Sequence, residues 1–322
     1  MAVLDIKNLN VAYKSRNEKV FAVDNVSLSI SEGDSVGIVG ESGSGKSTLA
    51  MAILRLLSEN DTEITGEIDF KGKDLLKMDI NEFNKIRWKE LAVVFQKSMN
   101  ALSPIHKIGS QLEDIYRVHE PKIAKQKLKE KILSLFKLVN LSDRVYNLYP
   151  HELSGGMLQR VSIALSLIHK PPLLILDEAT TALDVVTQGQ ILSEIQKLEQ
   201  DIKMTRIMIT HDMSVVANSC KKVVVMYAGK IMEVGNVEDV LIKPTHPYTQ
   251  GLMKSFPTLK GEKKELSGIK GFLPNMSEKN KGCIFAPRCS FVQEVCHKVA
   301  PKEFEIKSGH LSACHLHGSE IN

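Results

Sequence analysis

The feature that most constrains this chain is the stretch Gly40-Glu41-Ser42-Gly43-Ser44-Gly45-Lys46-Ser47, which fits the pattern G-x-x-x-x-G-K-[ST]. The apolar run Ser35-Val36-Gly37-Ile38-Val39 before it reads as a strand, and Lys46 to Leu57 after it reads as a helix buried beside a sheet. Glycines let such a turn curl until several N–H groups point at one phosphate, with the helix dipole adding positive potential. Lys46 supplies a mobile ammonium for β- and γ-phosphates, and the Ser47 hydroxyl suits one position on Mg²⁺. A chain of this length matches the pattern by accident about 1% of the time. Nucleotide binding is therefore the expectation, on an α/β fold.

The rest of the chain agrees with that fold. Val3 to Val11, Val23 to Ile30 and Gly66 to Phe70 read as strands of an N-terminal antiparallel part. Leu91 to Phe95, Leu173 to Leu176, Ile207 to Ile209 and Val223 to Tyr227 are short apolar runs, as expected of strands buried on both faces of a parallel sheet. From about Asn81 to Leu148 strand signals thin out, and Ile108 to Val118 and Ile123 to Val139 carry helical spacing. We place a helical insert at about 97–155, with Lys122, Lys125, Lys127, Lys129 and Lys131 forming a solvated helix face. Gly261 to Gly282, rich in Lys, Gly and Ser, reads as a weakly structured linker.

Two carboxylates close the run Leu173-Leu174-Ile175-Leu176-Asp177-Glu178. Alternation along a strand sends them in different directions. Asp177 then suits the Mg²⁺ shell, and Glu178 suits activation of a water molecule. Roughly 6 Å apart, they repel by about 3 kcal/mol at an effective dielectric of 20, which a bound cation offsets. His211 follows the strand Thr205 to Thr210 at an edge where side chains emerge, suited to a γ-phosphate contact. Gln96, just past Leu91 to Phe95, suits Mg²⁺ or the water.

A second anion cradle is Leu153-Ser154-Gly155-Gly156-Met157-Leu158-Gln159-Arg160, with a hydroxyl and two glycines preceding a helix. One nucleotide does not need two cradles, so each is expected to face a nucleotide held by another subunit. With this motif the sequence resembles the nucleotide-binding subunit of ABC transporters over about residues 1–250, and the family's set of motifs stands in order. The resemblance implies a P-loop NTPase fold of the ABC ATPase kind, with an N-terminal antiparallel β part, a helical subdomain and a C-terminal cysteine-containing extension at 251–322. It implies that Tyr13 stacks on adenine, and that Gly40, Ser42, Gly43, Ser44, Gly45, Lys46, Ser47 and Thr48 hold ATP. Ser154, Gly155, Gly156 and Asp184, which closes Thr181-Ala182-Leu183-Asp184, would complete the ATP site from a second ATPase subunit, a paralogue or a second copy. Ala179 stands where many importers carry proline.

His246-Pro247-Tyr248-Thr249 and the cysteine extension make the chain similar to the oligopeptide/dipeptide importer subfamily, on its dipeptide side. Ser98, Asn100, Leu102 and Pro104 partly fit that subfamily, with Ser103 in place of an expected asparagine. The resemblance implies ATP hydrolysis powering peptide import at the cytoplasmic face of the membrane. Its expected partners are two permease subunits and an extracytoplasmic peptide-binding protein. Nickel importers share much of the pattern and form the alternative.

Cys283-x5-Cys289-x6-Cys296-x17-Cys314 offers four thiolates, which suit a [4Fe–4S] cluster or tetrahedral Zn²⁺, or simply pack as small hydrophobes. The gaps exceed the usual C-x₂₋₄-C of zinc sites. The resemblance implies the iron–sulfur cluster. His297, His310, His315 and His317 lie close in sequence and could replace a ligand, and Cys220 stands apart as an ordinary thiol.

Composition excludes other classes. The 322 residues are 43% hydrophobic and 25% charged, which fits a globular chain and not a disordered one. A net charge of +4 gives no dense basic field, so nucleic acid is not an expected partner. No apolar run reaches the roughly 18–20 residues that cross a bilayer, and Met1 to Leu9 does not resemble a signal peptide. A soluble ABC ATPase acting on DNA or ribosomes would need a long heptad insert or a second ATPase half, neither of which stands in the sequence.

Overall fold

The computed structural model describes residues 2–14, 18–95, 102–180, 183–255, 268–277 and 280–318. Along the chain run β1 (Ala2–Lys14), β2 (Lys19–Ser31), β3 (Ser35–Val39), α1 (Lys46–Ile53), β4 (Thr62–Phe70), β5 (Lys73–Asp74), α2 (Ile80–Ile86) and β6 (Leu91–Val94). Then come α3 (Ile108–His119), α4 (Lys125–Leu138), α5 (Gly155–Ser166), β7 (Leu173–Asp177), α6 (Val185–Ile202), β8 (Thr205–Ile209) and α7 (Met213–Ser219). Last are β9 (Lys222–Tyr227), β10 (Lys230–Asn236), α8 (Pro247–Lys254), α9 (Glu294–Lys298), β11 (Phe304–Lys307) and β12 (His310–Ser312). The chain divides into two compact units, one of Ala2–Ile30, Ser35–Leu76 and Ile209–Asn322, the other of Ser31–Asp34 and Lys77–Met208.

In the first unit β2, β1, β4 and β5 form the antiparallel sheet, in that order. Val26, Leu28 and Ile30 turn inward while Asn25, Ser27 and Ser29 face out, the alternation of a half-buried strand. The strands outrun their apolar segments: β1 reaches Lys14, β2 begins at Lys19 and β4 at Thr62. Exposed ion pairs join strands across this sheet. Lys7 meets Glu67 at 3.2 Å and Lys19 meets Glu63 at 2.6 Å. β3, buried at every position, runs parallel to β9 with Val39 opposite Val225. β10 pairs antiparallel with β9, and β12 and β11 continue beyond it. The helix after the glycine-rich turn ends at Ile53, short of the expected Leu57, because Arg55 turns left-handed at φ 50°.

The expected linker is not loose where it is described. Residues 268–277 contain no helix or strand, yet Ile269, Leu273 and Met276 pack against a core that includes Tyr227, Tyr248, Leu252, Phe285, Cys283 and Cys296. Apolar side chains four and three residues apart were outweighed in the sequence by the surrounding Lys, Gly and Ser.

In the second unit β6 runs parallel to β7, Leu91 opposite Leu173, and β8 lies on the other side of β7. The expected insert contributes α3 and α4. Leu128, Ile132, Leu135 and Phe136 form the buried stripe of α4, with Lys125, Lys127 and Lys129 exposed. Lys131 departs from the solvated face: it is half-buried and donates to the Tyr116 hydroxyl at 3.0 Å. Among the described residues no helix is long and apolar enough to cross a membrane.

Candidate functional site

The glycine-rich loop joins β3 to α1, as its mechanism needs. Gly40 has φ 148° and a Cβ there would stand 2.1 Å from Met226 O; Gly45 has φ 96° and a Cβ would stand 2.2 Å from Ala22 O. Only glycine fits at either place. α1 starts without a side-chain cap, which leaves its first N–H groups oriented for an anion. Lys46 is buried, and its Nζ donates to Gly40 O at 2.9 Å, Glu41 O at 2.8 Å and Ser44 Oγ at 3.2 Å. The ammonium therefore curls over the loop, where phosphate oxygens can replace carbonyl oxygens as acceptors. Ser42 and Ser47 are exposed. Tyr13 is half-buried and its hydroxyl lies 3.3 Å from Thr48 Oγ1, which brings the aromatic expected at adenine to the first turn of α1.

In the second unit Ser154 is the N-cap of α5: its Oγ accepts the Met157 N–H at 3.3 Å. Gly155 and Gly156 open the helix itself rather than preceding it, and Ser154 and Gly155 are exposed. Gln159, buried in α5, donates to Ala179 O, so the cradle helix and the end of the acidic strand are tied one residue past Glu178. Nothing local in the sequence marks Gln159 for this contact.

β7 ends at Asp177, which is buried, and Glu178 is half-buried with φ 49°. Asp177 thus closes the strand and Glu178 stands just past it in a left-handed turn, so the strand that the sequence extends through both carboxylates stops at the first. Asp184 is the exposed N-cap of α6, and hydrogen bonds from Thr187 hold its carboxyl below the usual carboxylate range. Gln96, Thr181 and Ala182 lie outside the described residues. β8 stops at Ile209, and in the first unit His211 is exposed and Asp212 caps α7 through Ser214 N–H at 2.9 Å.

The cysteines gather in the first unit. Cys283 donates its N–H to Cys296 O at 2.7 Å, and Cys289 Sγ accepts the Phe291 N–H at 3.4 Å. Burial pushes the thiols of Cys283, Cys289 and Cys314 up, Cys314 to about 11, and Cys314 also senses Cys283, Cys289 and Cys296. Even so, among the described residues no group of three or more His, Cys, Asp or Glu side chains is arranged to hold a metal ion. Three of the neighbouring histidines are engaged elsewhere. His310 Nε2 pairs with Glu233, His315 Nε2 with Val299 O at 2.9 Å and His317 Nε2 with Thr245 O at 3.2 Å.

His246-Pro247-Tyr248-Thr249 has a structural explanation. His246 Nδ1 accepts the Tyr248 N–H at 3.0 Å as the N-cap of α8, Pro247 fills the first helical position, and the whole stretch is buried. Burial pushes the His246 imidazole down to about 4, so it is neutral at pH 7.

With that geometry in view, comparison with known proteins gives a consistent answer. The ABC transporter family pattern matches residues 23–181, and the oligopeptide/dipeptide transporter C-terminal region matches residues 232–296. The oligopeptide transport ATP-binding protein OppD of Haemophilus influenzae is 43% identical over 99% of this chain and 99% of its own length. That of Escherichia coli is 41% identical over 97% of this chain and 93% of its own. Among solved structures, the dimeric ATP-binding cassette MJ0796 in a post-hydrolysis state with ADP and Pi matches 73% of this chain and 98% of its own length. Its TM-score is 0.67 at 30% identity. The chain belongs to the ABC transporter ATP-binding family, in the branch that carries the oligopeptide/dipeptide C-terminal region.

Proposed function

We propose that this chain is the ATP-hydrolysing subunit of a membrane importer for di- and oligopeptides, and that it acts as one of two cassettes closing on ATP. The observation that carries the reading is the pair of helix N-termini: one at Lys46 that follows a glycine and has no side-chain cap, one behind an exposed Ser154. Head to tail, two chains would place residues 40–48 of one and Ser154, Gly155, Gly156 and Asp184 of the other on the same triphosphate. Tyr13 would stack on adenine. Ser47 and Asp177, with Gln96, would hold Mg²⁺, which supplies positive charge to the phosphate oxygens. Glu178 takes a proton from the attacking water as its oxygen bonds to the γ-phosphorus and the bond to the β-phosphate oxygen breaks. His211 donates to the γ-phosphate. Closure and reopening drive two permease subunits, fed by an extracytoplasmic peptide-binding protein, with this chain peripheral on the cytoplasmic face.

The relatives' oligopeptide names support the peptide class. In cells lacking the chain, uptake of a radiolabelled tripeptide should fall to background and return with the intact protein but not with Glu178→Gln. Loss of nickel uptake with peptide uptake intact would favour the nickel alternative and overturn this one.

Cys283, Cys289, Cys296 and Cys314 offer four thiols in one segment, the ligand chemistry that an iron–sulfur cluster takes, although the described side chains are not grouped to hold an ion. These four would hold a [4Fe–4S] cluster that braces a segment too small to build much core alone. Anaerobically purified protein should absorb near about 400 nm and contain iron. Colourless protein carrying zinc would replace the cluster with Zn²⁺.

A further inference from the structure

The acidic side chain at the second position of the phosphate loop is gripped by the cysteine-bearing segment. Arg288, the residue before Cys289, donates from Nη1 to Glu41 Oε2 at 2.8 Å and from Nη2 to Glu41 Oε1 at 3.1 Å. This fork-on-fork pairing is peculiar to a guanidinium and a carboxylate. The rest of the guanidinium is also fixed. Nη2 donates to Ile269 O at 3.0 Å, Nε to Lys270 O at 2.9 Å and Nη1 to the Tyr227 hydroxyl at 3.3 Å. The Arg288 side chain is 6% exposed and that of Glu41 28%, so the pair is largely withdrawn from solvent screening.

The backbone of Glu41 is held as well. Its N–H donates to the hydroxyl of fully buried Tyr248 at 3.0 Å, and its carbonyl accepts from Lys46. Tyr248 packs against Tyr227 and Phe285 with ring centroids 4.7 and 5.3 Å away. Side chain, N–H and C=O of one loop residue are thus all tethered, two of them to segments beyond residue 226.

Charge makes the arrangement consequential. A phosphate loop works by positive potential, and an unneutralised carboxylate within it would repel a triphosphate. We propose that Arg288 is a positioning residue for the phosphate loop: it neutralises and clamps Glu41, so the cysteine-bearing segment sets how tightly the loop holds a nucleoside triphosphate. The proposal rests on residues 40–47 being that loop.

The test uses the full-length chain with ATP and Mg²⁺. Arg288→Ala should weaken ATP binding about tenfold and raise KM, with kcat at saturation kept within about twofold. Adding Glu41→Gln to Arg288→Ala should recover most of the loss, because no bare carboxylate remains. Arg288→Lys should recover only part, lacking the fork. Arg288→Gln carries the same expectation as Arg288→Ala if the alanine variant fails to fold. Wild-type affinity in either variant, or a deeper loss on adding Glu41→Gln, overturns the proposal. Lys46→Ala serves as the separate control: unchanged ATP binding there would remove the phosphate-loop reading itself.

Discussion

Glu233 and His310 meet out of reach of solvent, Oε1 to Nε2 at 2.8 Å, with both side chains almost wholly buried. Oε1 also accepts the N–H and the hydroxyl of Thr245, each at 2.8 Å, and Oε2 accepts the His246 N–H at 3.1 Å. One carboxylate on β10 thus gathers β12 and the start of α8. Removing it leaves several donors buried without their acceptor. Glu233→Ala should cost about 3 kcal/mol in urea unfolding, far more than the change expected of a surface acid. A loss below about 0.5 kcal/mol would mean that the latch does not hold these elements.

His246 gives the fold an acid sensitivity of definite sign. Its ordinary value is 6.5 and burial lowers it to about 4 in the folded chain. The unfolded chain therefore binds the proton first. The stabilisation is complete above about pH 6.5 and is lost as pH falls toward 4, to a total of ~3 kcal/mol. His169, lowered to about 4 mainly by burial, adds a loss of the same sign in the same window. Urea midpoints should drop between pH 7.5 and 5, and His246→Asn, which keeps a capping acceptor without the titration, should drop less. Equal drops would exclude His246 as a source.

The two anion cradles should separate by function. Lys46→Ala should abolish measurable ATP binding by the single chain, because it removes the ammonium that lies over the loop. Ser154→Ala should leave single-chain binding intact, cost about 1 kcal/mol of stability as a lost N-cap and lower turnover by roughly tenfold or more. Equilibrium nucleotide binding and steady-state ATPase rates on the same preparations distinguish the two. Weakened single-chain binding in Ser154→Ala would place both cradles on one nucleotide.

Gln159 offers a subtler check. Its amide joins α5 to Ala179 O beside Glu178, so Gln159→Leu should lower kcat about tenfold while leaving single-chain ATP affinity alone. An unchanged kcat would show that this tether does not position the acid.

What was legible in the sequence follows from how each part is encoded. The phosphate loop and the Ser154 cradle are contiguous, and their glycines and caps are local requirements, so their elements stood out. Buried strands such as β3 and β7 were legible because every side chain in them is apolar or small until Asp177. The Glu178 turn was not, because nothing in its composition announces φ 49° at a glutamate. β11, β12 and α8 were also missed, being short and marked by few apolar residues. The Arg288–Glu41 and His310–Glu233 pairs join positions 247 and 77 residues apart, and no local pattern of charge reports such a meeting.

A grip on one triphosphate by two chains, from opposite sides, has a direct readout. The direct measurement is the solution mass of Glu178→Gln with ATP and Mg²⁺, combined with labelling by ATP bearing a photoreactive group on its terminal phosphate. The expected result is a two-chain particle in which the nucleotide held over Lys46 of one chain labels residues 153–156 of the other. A particle that stays monomeric with ATP bound, its label confined to the chain that carries the loop, would contradict it.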